Sequence, residues 1–205
     1  MLGQKKKKDL GFAEALVTVS MRMVFDGPGG DLIKEQCPDQ DNLDRFMLAL
    51  AIGHAALATV AINLNLSVDH TRKTQILSHM DETFINKLSK PSDDFHISKY
   101  IITDHEVEMV ESKYGNCDFT TNMNMLLNFI YNSRVHEYSS ALREGLERVK
   151  KDDGAKINPF LKMINTMGKH VYGDEYVKDA VFISKISSMM FAILQSMMSV
   201  SEEYK

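Results

Sequence analysis

One histidine stands in the most apolar stretch of this chain, where an imidazole could bind a ligand or transfer a proton. His54 lies within residues 46–62, which read FMLALAIGHAALATVAI. At helical spacing its neighbours are small or aliphatic: Leu50, Ala51, Leu57 and Ala58. The sequence therefore nominates His54 as a ligand-binding residue of an interhelical pocket. The alternative, and the commoner arrangement in proteins, is a buried imidazole that hydrogen-bonds to another helix.

A second group with suitable chemistry consists of His105, Glu108 and Glu111, which recur at every third position. On a short helix these residues could offer one nitrogen and two oxygens to a divalent cation. The same helix would have to bury Val107 and Val110, which turns the three polar residues toward solvent. We therefore expect an acidic surface here, with a metal site as the alternative.

The sequence lacks the common signatures of enzymes. Phosphate-binding loops, nucleophile elbows and the HExxH zinc motif do not occur in it. None of the seven histidines follows a glutamate by three positions, as di-iron helical bundles require. Cys37 and Cys117 have no metal-binding spacing, so we expect both thiols to be reduced. These absences predict that the protein uses no cofactor and favour a function that is not enzymatic.

Methionine is the unusually frequent residue, with fourteen in the chain, and four of them form two adjacent pairs. The pairs Met189–Met190 and Met197–Met198 are eight positions apart, so their equivalent members lie on similar sides of a helix. Methionine side chains fill cores, and they also form adaptable surfaces that bind proteins or apolar ligands. Burial of these pairs would indicate a core, and exposure would indicate a partner-binding surface.

The distribution of charge suggests two kinds of partner. The chain has 24 basic and 28 acidic residues, a formal net charge of −4, which disfavours broad electrostatic binding to nucleic acids. Acidic residues predominate in segments 26–69 and 93–118, which could attract a basic protein. Basic residues predominate in Lys5–Lys8 and slightly in 134–162, so nucleic-acid binding through these two segments is a third hypothesis. Part of the second basic segment is expected to be solvated helix surface: Arg134, His136, Glu137 and Tyr138.

Hydrophobic residues recur mainly at intervals of three and four, and only four prolines and eleven glycines interrupt the pattern. This predicts a mainly α-helical, single-domain bundle of about six or seven helices over residues 9–205, preceded by a flexible basic tail over residues 1–8. Two helices, at about 42–64 and 175–202, lack a clear polar face. We expect the other helices to pack around these two.

Two segments leave room for short strands. Apolar and polar residues alternate over residues 16–25, as they do in a half-buried strand, although the preceding alanines favour a helix. Residues 95–102 are equally ambiguous. Strands at these two places are therefore the alternative to an all-helical fold.

The stretch 46–62 has the minimum length of a membrane span, but its six alanines and central polar residues favour a buried helix without a span. Charged residues also interrupt the first apolar stretch, so we expect no signal peptide and a cytoplasmic location. The function predicted is an interaction or assembly subunit that binds a protein through an acidic or Met-rich helical surface, with homo-oligomers as a further option. The alternative is a helical enzyme or small-molecule sensor with a pocket near His54.

Overall fold

The computed structural model describes residues 2–25, 40–88, 123–151, 157–173 and 180–204, with a few isolated positions between them. Within these ranges the chain forms six helices and no strand, which confirms the predicted mainly α-helical bundle. The helices are α1 (Leu2–Phe25), α2 (Gln40–Asn65), α3 (His70–Leu88), α4 (Met123–Lys151), α5 (Leu161–Tyr172) and α6 (Ala180–Glu203).

Helix α2 lies at the centre because it has no polar face to turn toward water. From Phe46 to Ile62 every residue is buried except Thr59, which is partly exposed. The other five helices all pack against α2. The alanines and Gly53 of α2 have small side chains or none, so the neighbouring helices can approach it closely. The methionine side chains of α5 lie directly over Gly53. The predicted core helix is therefore enclosed on all sides.

The five outer helices follow one another around α2 in the order α1, α3, α4, α5 and α6. Each packs against the next, whereas α6 and α1 do not pack closely along their lengths. Tyr204, which follows α6, joins them at one end: its ring stacks on Phe12 with 4.2 Å between centroids, and its hydroxyl donates to Asp9 at 2.6 Å. Arg72 of α3 also donates to the Asp9 carboxylate, at 2.6 to 3.0 Å. These contacts close the ring of helices at that end.

Residues 16–25 are helical, so the alternative prediction of a strand there was wrong. The residues of α1 that point inward have helical spacing: Ala13, Leu16, Val17, Ser20 and Val24. The misleading alternation arises from apolar residues that remain partly at the surface, since Val19 is 55% exposed and Met21 and Met23 are only half-buried. The other predicted strand, at 95–102, lies outside the described residues.

Helix α1 begins at Leu2, so residues 2–8 continue the first helix instead of preceding it as a separate tail. The ammonium group of Lys8 lies 5.0 Å from the centre of the Tyr204 ring, which is a cation–π distance. Lys7 is exposed to solvent.

Helices α4 and α5 approach each other so closely that one position between them requires glycine. A Cβ at Gly145 of α4 would overlap the carbonyl oxygen of Pro159 and lie 2.8 Å from its carbonyl carbon. Asn158 holds this turn in place. Its Oδ1 accepts a hydrogen bond from the Phe160 amide at 3.0 Å, and its Nδ2 donates to Ser187 of α6 at 2.7 Å. The backbone before α5 therefore has little freedom to move away.

The substitution Gly145→Ala should destabilise the protein by about 1–3 kcal/mol, because the added methyl group forces α4 away from Pro159. Gly11→Ala is the matched control, since Gly11 lies inside α1 with open space around it. That change should stabilise the helix by about 0.5–1 kcal/mol. Urea unfolding of the two variants measures both effects. Equal free energies of unfolding would contradict the close approach of α4 to Pro159.

Candidate functional site

His54 lies between α2 and α1 and is fully buried. Its Nδ1 is 3.3 Å from the carbonyl oxygen of Ser20, and a carbonyl can only accept, so Nδ1 bears the proton and donates. The Ser20 hydroxyl donates to the carbonyl of Leu16 at 2.8 Å, within α1. The Nε2 atom has no hydrogen-bond partner among the described residues. His54 is thus the buried imidazole that the sequence suggested, with one free acceptor.

Burial disfavours the charged imidazole and lowers the pKa of His54 to about 4, although the bond to Ser20 opposes this shift. The ring is therefore neutral near pH 7. An unsatisfied buried acceptor costs about 1–3 kcal/mol, so Nε2 reduces the stability of the fold. Because His54 is fully buried, a ligand could reach Nε2 only if the helices around it moved apart.

A hydroxyl, an imidazole and a carboxylate are connected where α4 meets α5. The Tyr138 hydroxyl lies 2.7 Å from His170 Nδ1, and His170 Nε2 lies 3.4 Å from a Glu137 oxygen. The hydrogen bond with His170 lowers the pKa of Glu137. Tyr138 is fully buried, so its hydroxyl cannot meet a substrate and the group links two helices.

The group formed by Tyr138, His170 and Glu137 differs from the sequence prediction in two ways. Tyr138 and Arg134 are buried, and only His136 and Glu137 form the solvated surface that the sequence predicts for all four residues. The sequence did not identify His170 because it lies 32 positions from Tyr138, and no local pattern connects the two.

Asp81 of α3 and Tyr131 of α4 form a second polar pair that the sequence did not indicate. The Tyr131 hydroxyl donates to Asp81 Oδ1 at 2.9 Å. Burial raises the pKa of Asp81 to about 6, against the opposing effect of the hydrogen bond from Tyr131. Burial also raises the pKa of Tyr131 well above its ordinary value. Both groups are protonated more readily than usual.

The structure describes only part of the alternative metal site formed by His105, Glu108 and Glu111. His105 lies outside the described residues, Glu108 is exposed and Glu111 is half-buried. Among the described residues no three His, Cys, Asp or Glu side chains are placed to hold a metal ion.

The two methionine pairs each place one member in the core. Met190 and Met197 are buried, while Met189 and Met198 are half-buried and pack against the core. Adjacent residues point about 100° apart on a helix, so a pair cannot lie on one face. The methionines therefore contribute mainly to the core, and other residues form the solvent side of α6.

The solvent side of α6, called here the outer face, differs from an ordinary helix surface. Its exposed residues are Ala180, Val181, Ser184, Lys185, Ser188, Phe191, Ala192, Gln195, Ser196, Ser199, Val200 and Glu202. Three large apolar side chains are well exposed: Val181 (64%), Phe191 (49%) and Val200 (47%). Two serine hydroxyls donate to carbonyls of α6 itself, from Ser188 to Ser184 and from Ser196 to Ala192. These two hydroxyls therefore do not require water as a hydrogen-bond acceptor.

Two helices in the described part of the chain have the length and hydropathy of a membrane span. In α2 the qualifying window is 83% buried within the protein, whereas in α6 it is 44% buried. A core helix passes the same test, and the burial of α2 accounts for its composition. The burial of α6 accounts for only one side of that helix.

Comparison with known proteins found no matching family model, no matching curated protein and no matching solved structure.

His54 and Asp81 should affect the pH dependence of stability in opposite directions. Acidification from pH 6.5 to about 4 protonates His54 in the unfolded chain first, which lowers the free energy of unfolding by about 3 kcal/mol. The pKa of Asp81 is raised from 3.8 to about 6, so acidification through this range protonates the folded protein first and raises that free energy. In the wild type the two effects oppose each other.

Replacing His54 should therefore reveal the effect of Asp81 on the pH dependence of stability, and replacing Asp81 should reveal the effect of His54. The variant His54→Asn retains a donor toward Ser20, and Asp81→Asn retains an acceptor for Tyr131. Relative to the wild type, acidification from pH 6.5 to about 4 should stabilise the His54 variant and destabilise the Asp81 variant. Urea unfolding across this range measures the difference. Parallel profiles of all three proteins would contradict both pKa values.

Proposed function

We propose that this chain is a non-enzymatic interaction or assembly subunit of the cytoplasm, and that it binds a protein partner through the outer face of α6. The observation that supports this most directly is a long exposed helix face with very little charge. From Val181 to Ser201 the helix has one charged residue, Lys185. Protein interfaces are depleted of charge at their centres and enriched in aromatic residues, and here Phe191 lies at the middle of the helix.

The other surface helices do not share this property. On α3, for example, Glu82 and Lys87 are exposed beside the half-buried Asp81. A helix whose outer side faces only water normally has such a charged surface. Exposed apolar residues also occur on other helices, for example Val19 on α1 and Val149 on α4, so the scarcity of charge on the outer face is what supports a partner on α6.

The two groups that resemble catalytic sites are less suited to a function in the folded state. Tyr138 and His54 are fully buried, so substrate would reach neither without separation of helices. The free Nε2 of His54 supports a small-molecule sensor as the second candidate function. A partner can reach the outer face of α6 without any movement of helices, because this face is already exposed.

The basic segment 134–162 offers fewer free cations than its sequence suggests. Arg134 is buried, and Arg148 and Lys162 both bind the carboxylate of Glu144. Electrostatic binding to phosphates depends on cations that can replace counterions. This pairing favours a protein partner over a nucleic acid.

The variant Phe191→Glu should lose the partner that wild-type protein retains during affinity purification from its native host. The reason is that a carboxylate at the middle of the outer face must be desolvated on binding. Val149→Glu is the matched control, since Val149 is 43% exposed on α4. We expect this control to retain the partner, as determined by mass spectrometry.

Thermal unfolding distinguishes loss of binding from loss of folding. Phe191 packs edge-on against Phe160 at 6.4 Å, so a small decrease in stability is expected, about 1 kcal/mol. A folded Phe191 variant that retains every partner of the wild type would contradict the proposed function.

A further inference from the structure

The two charged residues on the outer face of α6 have opposite signs and lie near its opposite ends. Lys185 and Glu202 are both exposed and 17 positions apart, which corresponds to about 25 Å along the helix. The exposed residues between them are uncharged.

The centre of the outer face follows the spacing of a helix–helix seam. Starting at Val181, exposed residues recur at alternating intervals of four and three: Val181, Lys185, Ser188, Ala192, Gln195, Ser199 and Glu202. This 3.5-residue period keeps a row of side chains facing a single neighbouring helix. Three of the four central residues, Ser188, Ala192 and Ser199, are small and Gln195 is larger, so the backbones of two helices could approach closely at the small positions.

We propose that the partner on this face is a second copy of the chain, with the two α6 helices packed antiparallel about a two-fold axis. The axis passes between residues 193 and 194. Lys185 then faces Glu202 of the second copy, Ser188 faces Ser199, and Ala192 faces Gln195. This proposal rests on the proposed function, because it names the partner of the same surface.

Among the described residues, neither charge has a close ionic partner within one copy. Lys185 is 4.0 Å from Glu35, the outer limit of an ion pair, and Glu202 accepts a hydrogen bond from the neutral amide of Asn65. Antiparallel pairing gives each charge an opposite charge from the second copy. Parallel pairing would place Lys185 beside Lys185, which is repulsive. The charges therefore select the antiparallel arrangement.

The remaining residues of the face are compatible with burial in such a dimer. The hydroxyls of Ser188 and Ser196 are already bonded to carbonyls of their own helix, so burying them leaves no unsatisfied donor. Phe191 and Val200 flank the seam, where a second copy would cover apolar surface that is now in water.

Charge reversal tests the pairing by sedimentation velocity of the full chain. The wild type should be a dimer, and Lys185→Glu or Glu202→Lys alone should weaken the dimer about tenfold or more, because like charges then face each other. The double variant K185E/E202K exchanges the two charges and should restore the wild-type affinity.

Cysteine cross-linking tests the orientation. The double variant S188C/S199C should form disulfides between copies on mild oxidation, because the two positions face each other. The single variant S188C should not, since its two copies would lie about 16 Å apart. Wild-type protein is oxidised in the same way as a control, because any disulfide between its copies must involve Cys37 or Cys117.

Four results would overturn the proposal. A wild-type protein that stays monomeric at its highest soluble concentration excludes the dimer, while the Phe191 experiment still decides the proposed function. A dimer that is unaffected by both single charge reversals, or that cross-links through S188C alone, excludes antiparallel pairing. If the protein is recovered only in the membrane fraction, with α6 protected by lipid, then a bilayer covers the outer face and a second copy does not.

Discussion

The structure depends on the need to enclose α2 completely. A helix without a polar face is stable in water only when other helices cover its whole circumference, and here five helices do so. Close approach to α2 is made possible by its alanines and by Gly53. Each outer helix packs against α2, and Gly145 additionally allows the tight contact of α4 with Pro159. Tyr204 then closes the ring by binding Asp9 and stacking on Phe12.

Enclosing α2 also determines what the polar residues can do. His54 is trapped at the interface with α1, where its imidazole is neutral and retains one free acceptor. Tyr138 and Tyr131 are buried but bonded to His170 and Asp81, so they connect helices. His54, Tyr131 and Tyr138 have the chemical types of a catalytic site but are fully buried. The exposed surface therefore offers the more accessible sites, and along α6 the described surface has very few charges.

The sequence predicted α2 well because an Ala-rich helix with no polar side has only one stable environment. The sequence could not show that α6 is buried on only one side. Apolar composition alone does not indicate which side of a helix packs against other helices. The fourteen methionines drew attention to α6, but Met190 and Met197 belong to the core. The more informative signal was the spacing of Lys185, Ser188 and Ala192, which is visible only after the buried side is known. The strand prediction at 16–25 failed because Val19 is apolar and exposed, so hydrophobicity there does not report burial. His170 could not be linked to Tyr138 because tertiary packing alone brings them together.

The outer face of α6 is proposed to be covered by another protein when this chain functions. Hydroxyl-radical footprinting tests it by comparing the protein in native extract with the isolated, dilute chain. Phe191 should be modified more slowly in the extract, because a bound protein shields its ring from radicals, while Val149 on α4 should react equally in both samples. Equal modification of Phe191 in the two samples would contradict the account.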